Sequence, residues 1–351
     1  MSKIEQIKMS VTDKKLKTLM AMGNEITLER MPVPSISLNR ALDGGFGRGR
    51  INMIYGPKSS SKTSILLQMI AAAQKRGETC ALIDAEQSYD PVWAARLGVC
   101  NEELIVVQAK TFEDAIDIGV KLLEQEIDLL VVDSISSLLS GAYFDDKNKI
   151  KDVSKTGQIG SVAKDTGKMV NMYNYANHRT CIVLISQIRN KITTYGAVGA
   201  PTGGEAVKYF SSTIVKLTSS ASDKEQIKED MPTHNGKIEL PVGRPIKFRV
   251  EYSKTSNAGV VGEFNFYYGR DPVGVDNIAE IVDLAISLGF IRQAAAWFYL
   301  DEETKFNGRP ALVQHIKDNP EVQQQIIDQV MSVKPIVLEE DTEDLFGDDF
   351  E

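Results

Sequence analysis

Short apolar runs alternate with helical patterns along the first half of the chain. Apolar runs with polar or turn-forming flanks occur at 51–55, 79–84, 104–108, 127–133 and 181–187. Such runs are typical of buried strands. Helical patterns begin at Thr63 and at Thr111, after the first and third of these runs. Alternation of this kind predicts βαβ units, and therefore an α/β fold with a mostly parallel, twisted sheet flanked by helices.

The pattern changes towards the C-terminus. Residues 245–269 read as further strands, and a shift in composition near 271–272 is followed by helical patterns at 278–288 and 321–331. We therefore predict a second, smaller domain of mixed α+β structure. The predicted divisions are a polar N-terminal lead (1–30), a core (31–270), a small C-terminal α+β domain (271–333) and an acidic, disordered tail (334–351).

The segment between the first strand and the first helix carries the most specific chemical signal. It reads Gly56-Pro57-Lys58-Ser59-Ser60-Ser61-Lys62-Thr63. This matches the phosphate-binding signature G-x-x-x-x-G-K-[ST], except that Ser61 stands where the signature has its second glycine. In such loops the backbone N–H groups, the helix N-terminus and the lysine bind phosphates, while the threonine hydroxyl binds Mg²⁺. The segment therefore predicts a nucleotide site.

Polar side chains stand at or just after the ends of three predicted strands. Glu86 follows the run 79–84, Asp133 ends the run 127–133, and Gln187 ends the run 181–187. Beside a phosphate loop, Asp133 could orient Mg²⁺, Glu86 could activate the attacking water, and Gln187 could sense a γ-phosphate. One acid at a strand end is more often a solvated turn. All three in order after a phosphate loop favour a nucleotide-hydrolysing site.

Composition restricts the class of protein. The chain has 351 residues, of which 42% are hydrophobic and 25% charged, as expected of a globular protein with roughly two domains. Its three cysteines and three histidines show no metal-ligand spacing, which argues against zinc and fits a reducing compartment. No apolar run approaches the length of a membrane span, and no signal peptide is visible. We therefore expect a cytoplasmic protein without a membrane partner.

Charge is concentrated at one end. The formal net charge is −8, from 40 basic and 48 acidic residues. Residues 339–351 hold eight of the acids and no base, so the rest of the chain has 40 acids against 40 bases. Because the body is neutral, any contact with nucleic acid must come from local loops.

Several of these segments occur in the order and at the spacing of one protein family. They are 54–57 with the rest of the phosphate loop, 82–86 followed by 90–91, 131–134, 187–189, 202–204, and in the C-terminal part 295–297 and 317–321. On these segments the chain resembles the RecA family of DNA recombinases over residues 35–330. The resemblance extends to phage-encoded members, which tolerate residues other than glycine at the position of Ser61.

The resemblance implies an ATP- and Mg²⁺-dependent recombinase that forms a helical filament on single-stranded DNA and pairs it with homologous double-stranded DNA. The nucleotide roles that it implies are catalysis by Glu86, Lys62, Gln187 and Lys254, binding of ATP by Gly56 to Thr63 with Asp90 and Trp93, and binding of Mg²⁺ by Thr63 and Asp133. Asp90 would hydrogen-bond the adenine and Trp93 would stack on it. The 1–30 lead would be the arm through which subunits polymerise.

Two further segments resemble the DNA-binding loops of the family, at about 141–166 and 189–204. The residues expected to meet DNA are Ile159, Gly160, Lys164, Arg189, Lys191, Ile192, Tyr195, Gly203 and Gly204. Lys164, Arg189 and Lys191 would contact phosphates, and the apolar members would separate stacked bases. The alternative is that the apolar members pack against the core beneath their own loops.

Two departures from the family pattern bear on the rate of hydrolysis. Ser61 replaces a glycine that permits a positive φ, which a serine adopts only at some cost. Tyr252 replaces one of two basic residues that reach the neighbouring subunit's γ-phosphate, and leaves Lys254 as the other. We therefore expect a weaker or slower ATPase. Two alternatives stay open: a ring-forming helicase or ATPase of the same fold, and a DNA-binding filament with blunted hydrolysis.

Two other segments have two interpretations each. Residues 208–210 match a subunit contact of the family, but they could equally begin a buried strand. The acidic tail matches a tail that restrains access to DNA, but it could equally serve solubility alone.

Overall fold

A sheet of 11 strands forms the centre of the core. The computed structural model describes residues 3, 9–12, 26–144, 161–193, 196–201, 204–219, 225–234 and 236–335. Its elements up to residue 133 are, in chain order, β1 (Arg30–Met31), α1 (Ile36–Ala41), β2 (Phe46–Gly47), β3 (Arg50–Gly56), α2 (Lys62–Lys75), β4 (Cys80–Asp84), α3 (Pro91–Arg96), β5 (Leu104–Val107), α4 (Phe112–Glu124) and β6 (Leu129–Asp133). Most of the predicted N-terminal lead and of the acidic tail lies outside the described residues.

The second half of the core adds a hairpin and the antiparallel part of the sheet. Its elements are α5 (Ser161–Ala176), β7 (Cys181–Thr193), β8 (Gly196–Pro201), α6 (Gly204–Phe210), β9 (Ser211–Thr218), β10 (Ile227–Thr233), β11 (Gly236–Ser253), β12 (Val261–Tyr267) and β13 (Gly274–Val275). The strand order is β13-β12-β11-β9-β3-β7-β6-β4-β5, with β10 paired to β11 and β8 to β7. Strands β9 to β5 along this path are parallel, and β11 to β13 are antiparallel. The predicted fold class is confirmed.

Strand β3 is buried on both faces because side chains that alternate along it enter two different cores. Ile54 packs in one cluster with Ile65 of α2, whereas Met53 and Tyr55 pack in the other with Phe112 of α4. Helices therefore cover both faces of the parallel strands. The carboxyl ends of these parallel strands lie together at one edge of the sheet, which is where open α/β sheets bind ligands.

Residues 277–332 form a small unit with its own core. It contains α7 (Asn277–Ser287), β14 (Arg292–Ala294), β15 (Trp297–Tyr299), β16 (Lys305–Asn307), α8 (Arg309–Asp318) and α9 (Pro320–Ser332). The three strands form an antiparallel sheet, and buried side chains such as Ile281, Leu312 and Val330 fill the space beneath it. Helix α8 had no predicted counterpart. Across the described ranges, no helix is both long and apolar enough to cross a lipid bilayer.

Two segments predicted as loops contain regular structure. The strand predicted to end at Gln187 continues to Thr193, and this extension pairs antiparallel with β8 from Ile188–Pro201 to Thr193–Gly196. Helix α5 begins at Ser161, so the last part of the predicted loop 141–166 is helical. Backbone hydrogen bonds thus continue into the described residues of both segments.

Candidate active site

The phosphate loop connects β3 to α2 at the carboxyl edge of the parallel strands. Ser59 and Ser61 both have positive φ, of 62° and 59°, so the serine at the signature's glycine adopts the left-handed conformation that glycine favours. Ser61 is also the N-cap residue of α2, and its side chain makes no capping hydrogen bond there. At Gly56 a Cβ atom would lie 2.0 Å from the carbonyl oxygen of Leu217, so only glycine fits.

Lys62 points into the centre of the loop. Its Nζ donates to the carbonyl oxygens of Gly56 (3.1 Å) and Pro57 (2.7 Å) and to Ser60 Oγ (3.3 Å). The side chain is 8% exposed, and burial lowers the pKa of its amine. Phosphate oxygens would be stronger acceptors than these carbonyls, since a hydrogen bond between two charged groups is the stronger kind.

Thr63 and Asp133 form the pair that could hold a metal ion. Thr63 Oγ1 donates to Asp133 Oδ2 over 2.6 Å. Asp133 ends β6 and is 3% exposed, and this burial raises the pKa of its carboxyl to about 6. Hydroxyl and carboxylate oxygens are the donors that Mg²⁺ takes, with phosphates and water completing its shell. The two residues therefore fit Mg²⁺ bound with a nucleotide.

Glu86 and Gln187 are in direct contact although 101 residues separate them in the chain. The Gln187 amide Nε2 donates to Glu86 Oε1, and Ser134 Oγ (3.0 Å) and Ser137 Oγ (3.4 Å) donate to the same oxygen. Gln187 lies opposite Gly56 in the register of β7 and β3. Both side chains face a cavity of about 730 Å³ that is also lined by the phosphate loop from Lys58 to Thr63 and by Asp133.

Four polar residues that shape this site were not singled out in the sequence. Ser134 and Ser137 hold Glu86, and Ser136 Oγ accepts from the backbone N–H of Gln187 at 3.1 Å. Asp84 ends β4 and accepts from the N–H groups of residues 88 and 89, which turns the segment carrying Glu86. The cluster of serines directly after Asp133 was the signal that could have identified three of them.

Asp90 and Trp93 lie beside the cavity rather than in its lining. Asp90 caps α3, because its Oδ1 accepts from the N–H groups of Val92 (2.8 Å) and Trp93 (3.3 Å). The Trp93 indole is half-buried, and its Nε1 donates to Ser64 Oγ over 3.2 Å. Since Ser64 lines the cavity, the indole stands at its edge.

The predicted DNA contacts are divided between described and undescribed parts of the chain. Lys164 is exposed on α5. Arg189, Lys191 and Ile192 lie in β7 beyond Gln187, and Gly204 begins α6. Ile159, Gly160, Tyr195 and Gly203 lie outside the described residues. Gln187, which lines the cavity, and three of the predicted DNA contacts therefore share one strand.

Lys254 lies away from the phosphate loop of its own chain. Lys254 directly follows Ser253, the last residue of β11. Ser253 pairs with Thr213 of β9, and Thr213 pairs with Asn52 near the start of β3, whereas the phosphate loop follows the end of β3. Lys254 Nζ donates to the Tyr209 carbonyl over 2.8 Å and lies 5.7 Å and 5.9 Å from the ring centres of Tyr209 and Tyr252. The structure thus does not bring Lys254 to the other predicted catalytic residues.

Comparison with known proteins identifies the family. The model of the RecA N-terminal domain matches residues 2–269, and that of the RecA C-terminal domain matches residues 279–333. The chain is 33% identical to Protein RecA of Rickettsia bellii (strain RML369-C) over 318 residues, or 88% of this chain and 86% of that protein. It is 33% identical to Protein RecA of Brucella anthropi over 333 residues (93% and 87%), and 32% identical to that of Rhodospirillum rubrum over 323 residues (91% and 82%). With a phosphate loop at the edge of a mostly parallel sheet and these matches along nearly its whole length, the chain belongs to the RecA family of recombinases.

Proposed function

We propose that this protein is an ATP-dependent homologous recombinase. It would assemble as a helical filament on single-stranded DNA in the cytoplasm, pair that strand with homologous double-stranded DNA, and exchange strands. The observation that carries the proposal is the contact between Glu86 and Gln187 on β7, the strand that continues into a predicted DNA-binding segment. A nucleotide site and a DNA site would then share one element.

The residues around the cavity would divide the work of binding. The loop N–H groups and Lys62 would hold the phosphates, Thr63 and Asp133 would hold Mg²⁺, and the Trp93 indole would stack on the adenine. Bound ATP·Mg²⁺ would supply the phosphoryl group and its charge-neutralising metal. The chain's own task is to hold these groups in line for attack by water, since positioning and electrostatics dominate this chemistry.

Glu86 would orient and activate the attacking water. In the described arrangement its Oε1 accepts from the Gln187 amide and from two serine hydroxyls. A γ-phosphate would offer the Gln187 amide an acceptor with more negative charge than the Glu86 carboxylate, so the amide would move from Glu86 to the phosphate. This exchange would release the carboxylate for catalysis and displace β7, and with it Arg189, Lys191 and Ile192.

Assembly would complete the site from a neighbouring subunit. Lys254 is exposed and far from its own phosphate loop, which suits a cation that acts on the next subunit's nucleotide. A cation supplied in this way contributes about 10³–10⁵ in rate in related reactions. With Tyr252 at the second position, we expect hydrolysis to be slow while interface-dependent binding is retained.

The direct test combines two measurements on the purified protein. ATPase activity should rise on addition of single-stranded DNA, and electron microscopy with ATP and that DNA should show open helical filaments. Closed rings would instead favour a ring-forming helicase or ATPase. Absence of both DNA-stimulated hydrolysis and filaments would overturn the proposal.

A Glu86→Gln variant separates the recombinase from a scaffold with blunted hydrolysis, which the positive φ of Ser61 and the presence of Tyr252 favour as second candidate. We expect this change to reduce ATP turnover by about 10²–10⁴, to leave ATP binding intact, and to slow filament turnover. Glu124→Gln, an exposed change on α4, is the matched control. If strand exchange and filament turnover were unchanged in Glu86→Gln, hydrolysis would not be part of the function.

A further inference from the structure

The turn at Ser59 is held from outside the phosphate loop. Its carbonyl oxygen accepts from Ser219 Oγ at 3.1 Å and from Arg244 Nη1 at 3.1 Å. Ser219 directly follows β9 and Arg244 lies in β11, the antiparallel neighbour of β9, so the two donors come from two adjacent parts of the sheet. One loop carbonyl is thus fixed from two directions.

Arg244 is itself held in place. Its guanidinium carbon lies 5.1 Å from the centre of the Tyr268 ring, and Tyr268 packs against the core cluster beneath α2. A planar guanidinium that rests on an aromatic ring keeps its donors in a fixed direction and loses little freedom when it bonds. The side chain is therefore already oriented towards Ser59.

This loop needs external support more than a glycine-containing loop would. Ser59 and Ser61 both adopt positive φ, and the chain has no glycine between Gly56 and Thr63. For a residue with a Cβ atom this conformation is unfavourable, so an unsupported loop would tend to rotate its N–H groups away from the phosphates. A hydrogen-bonded carbonyl at Ser59 opposes that rotation.

We propose that Arg244, together with Ser219, is a positioning residue for the phosphate loop. By holding the Ser59 carbonyl it keeps a loop of serines in the shape that binds phosphate. The inference rests on the proposed nucleotide site, but it concerns binding in the absence of DNA and does not depend on recombination.

The test measures the dissociation constant of a fluorescent ATP analogue with Mg²⁺ and without DNA. We expect Arg244→Ala to weaken binding by about fivefold to tenfold, because a charged hydrogen bond to the loop is lost. Arg292→Ala is the matched control, since Arg292 also rests on a tyrosine ring (4.1 Å from the centre of Tyr299) but lies in the C-terminal unit. Unchanged affinity in Arg244→Ala, or an equal loss in Arg292→Ala, would overturn the inference.

A second substitution separates positioning from direct contact with the nucleotide. Ser59→Gly removes the steric reason for holding the Ser59 carbonyl, so in the Arg244→Ala background it should restore at least half of the lost affinity. No restoration would mean that Arg244 acts on the nucleotide directly, and the inference would be wrong. If Arg244→Ala does not fold, Ser219→Ala is tested instead, alone and with Ser59→Gly, and its affinity for the nucleotide is judged by the same criteria. Wild-type protein that binds no nucleotide would refute the proposed function as well. If the wild type binds the nucleotide and Arg244→Ala binds it equally well, only the positioning role of Arg244 is refuted.

Discussion

At the scale of single residues, the backbone conformation of Ser61 carries a free-energy cost for the phosphate loop. Its φ of 59° lies in the region that residues with a Cβ atom enter at a cost of roughly 1–2 kcal/mol. Glycine enters this region freely. Packing and hydrogen bonds hold the loop in this shape, so part of the stabilisation that they provide offsets this cost even without a bound nucleotide.

Replacing Ser61 with glycine should therefore improve the ATPase. We expect Ser61→Gly to raise kcat/KM for ATP by roughly threefold to tenfold, because the strained conformation becomes an ordinary one. Ser60→Gly should act in the opposite direction, since Ser60 Oγ donates to the Pro57 carbonyl at 2.9 Å and φ is positive at neighbouring Ser59 and Ser61 rather than at Ser60. Steady-state assays with single-stranded DNA check both, and equal effects of the two changes would contradict this explanation.

The buried carboxyl of Asp133 should reduce the stability of the nucleotide-free protein. Its folded-state pKa of about 6 lies above that of an exposed aspartate, so the protonated form is the one that folding favours. The penalty is present in full above pH ~6, shrinks between about pH 6 and pH 4, and is absent below both pKa values. Asp133→Asn should therefore stabilise the nucleotide-free protein by about 1–3 kcal/mol at pH 8, and the gain should disappear at acidic pH.

Denaturant unfolding of the nucleotide-free protein at several pH values measures this effect. Glu124→Gln, at an exposed site on α4, should show no such pH-dependent gain. A gain in Asp133→Asn that does not change with pH would mean that burial of charge is not its cause.

The sequence was sufficient to predict that Glu86, Asp133 and Gln187 meet beside the phosphate loop but not which residues support them. Glu86, Asp133 and Gln187 lie at or just after the points where the parallel pairing of three strands ends, and these points meet at one edge, so their proximity follows from the strand pattern alone. Arg244 reaches Ser59 across 185 positions of the chain and Ser219 across 160. Contacts of that range depend on how β9 and β11 join the sheet, which no local pattern specifies.

At the scale of elements, β7 shows a second limit of sequence patterns. Its first part is apolar and was predicted as a strand, whereas residues 188–193 are largely polar. The extension exists because β8 pairs with it, and β8 reads Gly-Ala-Val-Gly-Ala-Pro, which has no strand signal of its own. Pairing with the next strand of the hairpin therefore overrides weak local preference.

Helix α1 is joined to the C-terminal unit through one buried carboxylate. Glu280 of α7 accepts from Ser35 Oγ (2.6 Å) and from the N–H groups of Ile36 (3.0 Å) and Ser37 (2.8 Å). Ile36 and Ser37 open the first turn of α1, where N–H groups have no carbonyl partner within the helix, and Ser35 Oγ accepts from the next N–H group, that of Leu38. The contact thus ties the start of the core to residues more than 240 positions later.

Removing this carboxylate should loosen the connection. We expect Glu280→Ala to lower the free energy of unfolding by about 2–3 kcal/mol, because two N–H groups and a buried hydroxyl lose their acceptor. Asp283→Ala, which breaks an exposed ion pair with Arg309, should change it by less than about 1 kcal/mol. Chemical denaturation compares the two, and similar losses would show that Glu280 has no special role.

At the scale of the whole molecule, the last 13 residues carry the net negative charge and the rest of the chain is neutral. The eight acids of residues 339–351 account for the entire net charge of −8. A DNA strand near the body would meet the repulsion of this segment, which is strongest at low ionic strength.

Removing residues 339–351 should therefore tighten binding of double-stranded DNA. We expect an increase in affinity of about threefold to tenfold at low salt that fades as salt is raised. Fluorescence anisotropy with a labelled duplex measures it. A full-length variant with the eight acids changed to their amides is the control, and if it binds like the wild type, charge is not the cause.

The continuity of β7 from Cys181 to Thr193 has a thermodynamic consequence. Residues 187 and 193 are about 20 Å apart at the rise of a β-strand. If ligands at the two ends favour the same displacement of this strand, they are linked by a single coupling free energy, and linkage makes that energy reciprocal. Single-stranded DNA should then tighten the binding of ATP by the same factor by which ATP tightens the binding of single-stranded DNA. The predicted DNA-binding segment would thus also report which nucleotide is bound.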